Sequence, residues 1–108
     1  MDIVISDYLD NLILCIGEAI PVEKIILFGS HAYGTPDEDS DIDLCILSRL
    51  NGERKLDLIR KARRAIAPIS VIPVDLLLYD IDDFTIKAGL SSTLEYKIKN
   101  EGVSIYGQ

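Results

Sequence analysis

The sequence contains no tryptophan and few other aromatic residues, with five tyrosines and two phenylalanines among 108 residues. A surface that stacks the bases of single-stranded nucleic acid is therefore poorly supplied. Cations are also scarce, because 11 Lys and Arg residues stand against 18 Asp and Glu, which leaves a formal net charge of -7. Such a chain repels a polyanion unless its basic residues gather on one face, so we do not expect bulk binding of DNA or RNA.

Cysteine and long apolar runs are also rare. The two cysteines, Cys15 and Cys45, show no metal-ligand spacing, and we expect both to be reduced core residues. No apolar stretch approaches the length of a bilayer span, and the chain opens without a basic signal-peptide region. These absences predict a soluble cytoplasmic protein with no membrane association. Length and composition suit one compact domain over residues 1–108, without repeats or linkers.

Hydrophobic periodicity divides most of the chain between helices and strands. Apolar residues at helical spacing predict helices over residues 5–20 and 53–67. Short runs rich in branched residues predict strands at residues 25–28, 41–47 and 71–79. The chain therefore combines helices with a small sheet.

The last third of the chain carries signals of helix ends. Residues 80–83 resemble the start of a short helix, and capping explains their three aspartates more simply than metal binding does. Ser92 and Glu95 form a capping-box pattern for a last helix, which Gly102 is placed to end. Residues 103–106 are expected to add an edge strand.

The most informative pattern is a pair of aspartates, Asp41 and Asp43, at the start of the second strand. Side chains two residues apart share a face of a strand, so these carboxylates would lie side by side. Such a pair repels unless a cation lies between them, and oxygen ligands of this kind suit Mg²⁺. Asp75 interrupts an apolar strand and would be costly there without a partner. We therefore predict that the three aspartates converge on metal ions.

The segment before these aspartates suits a phosphate group. Gly29 permits close backbone approach, and the Ser30 hydroxyl and the amides after it can donate to phosphate oxygens. Residues 35–40 form a polar loop, whose last residue, Ser40, either bonds to backbone before the aspartates or contacts a phosphate. Without Gly29 and Ser30, a solvent-facing strand or turn would explain the aspartates better. His31 is interpreted as a plain loop residue rather than a catalytic one.

Residues 29–34, Gly-Ser-His-Ala-Tyr-Gly, followed by residues 40–44, Ser-Asp-Ile-Asp-Leu, resemble the signature of the polymerase-beta-like nucleotidyltransferases. The chain is most similar to the minimal nucleotidyltransferase group of that superfamily, and the likeness extends over nearly its whole length, including Asp75 and residues 101–106. The resemblance implies an α+β fold in which a small mixed sheet has helices packed on one face and an open active site on the other.

The resemblance also implies site roles and a reaction. Asp41, Asp43 and Asp75 would be catalytic ligands of two Mg²⁺ ions, Gly29 and Ser30 would bind the triphosphate, and ATP would be the nucleotide donor. Many relatives pair with a HEPN-domain protein, and in such toxin and antitoxin pairs the transferase resembles the antitoxin that adenylylates a tyrosine of the toxin. A hetero- or homo-oligomer is therefore expected. Relatives often carry Arg where this chain has Tyr33, which removes a cation near the triphosphate.

Three interpretations of function remain open at this point. The leading hypothesis is transfer of a nucleoside monophosphate, with AMP from ATP expected, onto a protein side chain. The first rival is a binding module that neutralises a partner by contact, with vestigial catalysis. The second is transfer to a small molecule such as an aminoglycoside. The basic helix over residues 54–64 could guide a triphosphate or dock an acidic partner, although charge-rich faces are usually only solvated.

Overall fold

The computed structural model describes residues 5–34 and 41–107, apart from the side chain of Tyr33. A short 3₁₀ segment, Ala67–Ile69, includes Pro68. Among the residues described, no helix is both long enough and apolar enough to cross a membrane. The elements in chain order are α1 (Ile5–Ala19), β1 (Lys24–Phe28), α2 (Ser30–Tyr33), β2 (Ile42–Ser48), α3 (Lys55–Ile66), β3 (Val74–Asp80), α4 (Ile81–Ala88), α5 (Leu94–Glu101) and β4 (Val103–Tyr106).

The four strands form one mixed sheet in the order β3-β2-β1-β4. β2 and β3 are parallel, whereas β1 is antiparallel to both β2 and β4. The parallel pair needs a crossover, and α3 supplies it between the two strands. The predicted α+β fold with a small mixed sheet is therefore confirmed, and β4 is an edge strand as expected.

The two longest helices cover one face of the sheet. α1 buries Tyr8, Leu12 and Ile16, spaced one turn apart, and α3 buries its own stripe of apolar residues against the same core. Every second residue of β2, beginning with Ile42 and Leu44, points into this core. Period-2 strands and 3.6-period helices thus meet in one apolar layer.

The opposite face of the sheet is covered only in part. α4 and α5 pack Phe84, Ala88 and Ile98 against Cys45 and its neighbours. The expected helix layer is therefore present, but two short helices also lie on the opposite face, which was expected to be open. Burial, together with a smaller effect of the Glu95 charge, raises the pKa of the Cys45 thiol to about 12. Both cysteines are free thiols, as expected.

The caps of the last two helices agree with the sequence analysis in one case and differ in the other. The Asp80 carboxylate accepts hydrogen bonds from the backbone N–H groups of Asp82 and Asp83, which confirms capping at the start of α4. The prediction of a capping box at Ser92 is wrong by one residue. Thr93 caps α5 instead, because its hydroxyl accepts from the Tyr96 N–H while it donates to carbonyls at the end of α4.

One buried tyrosine ties α1 to the segment that leads into β3. The Tyr8 hydroxyl donates to the Ile72 carbonyl at 3.0 Å and accepts from the backbone N–H of Val71 at 3.2 Å. The Tyr8 side chain is almost fully buried, with 6% relative exposure. This bond positions the start of β3, where Asp75 lies.

We expect Tyr8→Phe to destabilise the protein, because it leaves polar backbone groups of residues 71 and 72 without a buried partner. The loss should be about 1–3 kcal/mol in the free energy of unfolding, measured by urea denaturation. Tyr106→Phe is the matched control, since Tyr106 is 47% exposed and its change should stay within about 0.5 kcal/mol. Equal stability of the two variants would contradict this role of Tyr8.

Candidate active site

Asp43 and Asp75 lie side by side on the sheet. Each is the second residue of its strand, and the register of the parallel pair places them directly opposite one another. Both project from the face that carries Cys45 and Leu77, opposite to the α1 and α3 layer. The sequence prediction that a neighbouring strand brings Asp75 beside Asp43 therefore agrees with the observed geometry.

The electrostatics of Asp43 reflect this crowding. Burial raises the pKa of the half-buried Asp43 carboxyl above its ordinary value, the charges of Asp75 and Asp41 raise it further, and His31 lowers it. The Asp75 side chain is also within hydrogen-bonding reach of Asp43. Two carboxylates at this separation disfavour each other's ionised form, and a bound cation would relieve that repulsion.

Gly29 brings the backbone against the Asp43 side chain. It follows β1 directly and has φ 75° and ψ -161°, a conformation that is essentially restricted to glycine. A Cβ atom at this position would collide with Oδ2 of Asp43. Gly29 therefore permits both the turn and the close approach to Asp43, while its predicted contact with a phosphate stays a prediction.

Ser30 begins α2, which is a single helical turn of four residues. The Ala32 N–H donates to the Gly29 carbonyl at 3.0 Å, which closes this turn. α2 also carries His31, whose influence on the pKa of Asp43 shows that the two side chains are near each other. His31 was interpreted as a plain loop residue, but it lies in α2, and its position two residues after Gly29 was the available signal of that nearness to Asp43. Ser40 and the Tyr33 side chain lie outside the described residues.

Asp41 is less closely engaged than the other two aspartates. It precedes β2, and its side chain is exposed, as is that of Asp75, but it has no partner in the strand register. Its charge reaches Asp43, yet within residues 5–34 and 41–107 no three His, Cys, Asp or Glu side chains form a ready metal cluster. Asp43 and Asp75 thus form a neighbouring pair on the sheet, and Asp41 lies close enough for its charge to affect Asp43.

Two other charged groups lie away from this pair. Asp80 is the last residue of β3 and caps α4, and Asp82 and Asp83 lie in the first turn of α4. The basic helix α3 packs on the opposite face of the sheet from Asp43. Neither group is placed to complete the carboxylate pair.

Comparison with known protein families gives one match that spans most of the chain. A family model described as a nucleotidyltransferase domain matches residues 9–102. Gly29, Ser30 and the three aspartates all fall within that span. A comparison with curated protein sequences finds no significant match.

Three solved structures share the fold, and the chain covers 95% of its own length in each alignment. A candidate nucleotidyltransferase from Sulfolobus solfataricus has 15% identity and a TM-score of 0.66, over 80% of that chain. A toxin-antitoxin structure with AMP-PNP has 24% identity and a TM-score of 0.55, over 73% of that chain. A mutant of the toxin-antitoxin MntA-HpeT has 21% identity and a TM-score of 0.54, again over 73%.

We expect Gly29→Ala to disturb the carboxylate pair more than a comparable change nearby. The new methyl group would displace Asp43 and strain the backbone, so nucleotide affinity should fall at least about tenfold, with about 1–3 kcal/mol of lost stability. Gly34→Ala is the control, because Gly34 has a similar φ of 79° but no atom within 4 Å of an added Cβ. Calorimetric titration with ATP and Mg²⁺ measures the affinity, and equal losses in both variants would contradict the close approach at Gly29.

Proposed function

The chain belongs to the nucleotidyltransferase domain family, and on that premise we propose that it moves AMP from ATP onto a hydroxyl group of a protein. We further propose that residues 1–108 act as a single minimal nucleotidyltransferase domain. The observation that carries the proposal is the pairing of Asp43 with Asp75 beside Gly29. Phosphoryl transfer depends mainly on positioning and on charge stabilisation, and this arrangement offers both.

The carboxylate pair fits magnesium. Asp43 and Asp75 are like charges in contact, and no Lys or Arg of the described ranges forms an ion pair with either one. Mg²⁺ is commonly held by one or two carboxylates together with substrate phosphates and water. Asp43 and Asp75 would hold one ion, and Asp41 would add a ligand for the second ion that the family resemblance implies. When bound, magnesium neutralises phosphate charge and lowers the pKa of an attacking hydroxyl.

The bend after β1 binds the triphosphate in this proposal. Gly29 lets the backbone approach the triphosphate, and the Ser30 hydroxyl donates to a phosphate oxygen. The acceptor oxygen then forms a bond to the α-phosphorus while the bond to pyrophosphate breaks, and the hydroxyl proton is released to water. Ser40 is proposed as a further phosphate contact from the end of the loop.

The acceptor we propose is a tyrosine of a HEPN-domain toxin, with this chain as the cytoplasmic antitoxin in a hetero-oligomer. Two of the similar solved structures are toxin-antitoxin assemblies, and one was solved with AMP-PNP, an analogue of ATP. The family resemblance supplies the HEPN domain and the tyrosine.

A second candidate is neutralisation by contact alone. The observation that favours it is Tyr33, which stands where relatives often carry Arg, because loss of a cation near the triphosphate weakens nucleotide binding. In that case the chain would mask its partner without turnover.

Transfer is tested by incubating the protein with Mg²⁺, each nucleoside triphosphate and the product of the adjacent gene, followed by intact-mass spectrometry. We expect the partner to gain one AMP. Asp43→Asn and Asp75→Asn should each lower the rate roughly 100-fold or more, since each removes a charge that acts on the transferring group. Asp83→Asn is the control, because Asp83 is exposed and lies at the other end of β3.

The two candidates predict different results for the double variant of Asp43 and Asp75. If the enzyme is the antitoxin, this variant fails to neutralise its partner. If no nucleotide is ever transferred and the double variant still neutralises the partner, neutralisation by contact replaces our proposal.

A further inference from the structure

The charges of the chain are unevenly distributed along the sequence. Residues 49–64 hold seven of the 11 cationic residues and only two of the 18 acidic ones. This segment therefore carries a net charge of +5, while the rest of the chain carries -12. This division identifies α3 as the place where negatively charged groups would be attracted.

The outward face of α3 is a basic stripe. α3 buries Leu58 and Ile66, so residues about half a turn away point from the sheet into solvent. Within the described ranges, the three arginines on that face form no ion pair with any carboxylate. We call them the basic stripe: Arg60, Arg63 and Arg64. Leu56 lies on the same face and is 57% exposed.

The outward face of α1 is the electrostatic counterpart. α1 contains no Lys or Arg, and its three acidic residues are exposed and form no ion pair with the described residues. We call them the acidic stripe: Asp7, Asp10 and Glu18. Leu14 lies among them and is 63% exposed. Each stripe thus lies beside one exposed leucine. On the α3 side, the nearby Asp57 and Glu53 pair with Arg54 and Lys61, so the charges of the basic stripe itself stay unpaired among the described residues.

α1 and α3 pack against each other on the same face of the sheet, so both stripes point away from it. Their charges do not pair within one chain. A two-fold rotation about an axis that runs between the two helices would place the acidic stripe of each copy over the basic stripe of the other. We propose that two copies of this chain associate through the α1 and α3 layer, with opposite charges paired in two identical contacts.

Two-fold symmetry suits this surface because each contact is made twice and the assembly closes on itself. The leucines give the interface an apolar centre, and the arginines supply bidentate partners for carboxylates. Charge pairs of this kind are screened by salt. The dissociation constant should therefore rise at least about tenfold between 50 and 500 mM NaCl.

This association leaves the carboxylate pair accessible. Asp43 and Asp75 lie on the opposite face of the sheet from the two stripes. The second copy therefore does not cover the candidate active site, and the inference does not depend on the proposed transferase activity.

The test is sedimentation equilibrium of the full chain, whose monomer mass is 12.0 kDa, at 100 µM and 50 mM NaCl. The wild-type chain is expected to be a dimer. Two triple variants are expected to be monomers under the same conditions. The first reverses the basic stripe (Arg60→Glu, Arg63→Glu, Arg64→Glu). The second reverses the acidic stripe (Asp7→Lys, Asp10→Lys, Glu18→Lys).

The decisive step mixes the two triple variants. The variant with the reversed basic stripe carries two acidic stripes, and the variant with the reversed acidic stripe carries two basic stripes. An equimolar mixture of the two should therefore form a heterodimer. The matched control makes the same change of net charge on the other face of the sheet, and it should stay dimeric: Lys87→Glu, Lys97→Glu and Lys99→Glu.

A monomeric wild-type chain overturns the proposal, and so does a mixture that stays monomeric although circular dichroism shows both variants folded. If a triple variant does not fold, Leu14→Asn and Leu56→Asn at exposed positions replace it. Each single change should weaken the dimer at least about tenfold, and unchanged association in both would also overturn the proposal.

Discussion

The parallel pairing of β2 with β3 imposes the constraint on which the candidate site depends. Because Asp43 and Asp75 are partners in register, formation of the sheet itself brings two carboxylates together, and partial burial of Asp43 adds a desolvation cost. The apolar residues that alternate with them point into the core beneath α1 and α3, and their burial offsets the repulsion above. A divalent cation between the two carboxylates would remove that repulsion. The folded chain therefore positions Asp43 and Asp75 to bind such a cation.

Contacts elsewhere in the fold fix the positions of the Asp43 and Asp75 side chains. Tyr8 anchors the segment before β3 to α1, and α3 connects the two parallel strands across the covered face. Gly29 closes the site from the side of β1, since only a residue without Cβ fits against Asp43. α4 and α5 pack on the same face as Asp43, against Cys45 and its neighbours, while the Asp75 side chain stays exposed. The candidate site therefore lies on the face of the sheet opposite the larger core.

Much of this arrangement could be predicted from the sequence, because its signals are local. Alternation in residues 41–47 and helical spacing before Pro21 and Pro68 identified strands and helices to within a few residues. The order of the strands, and hence the contact of Asp43 with Asp75, depends on long-range pairing that no local pattern encodes. The cap at Thr93 was missed because Ser92 offers an equivalent hydroxyl one residue earlier. The packing of α4 and α5 against the sheet was missed because helices of eight residues show only weak hydrophobic periodicity.

The most direct test of the central claim replaces Mg²⁺ with paramagnetic Mn²⁺ and follows the amide signals of the isotopically labelled protein by NMR. If Asp43 and Asp75 hold the cation beside the bend after β1, the signals of Gly29, Asp43 and Asp75 should broaden first, at substoichiometric Mn²⁺. Broadening that begins instead at residues 80–83, or that appears evenly over the acidic surface, would contradict the account.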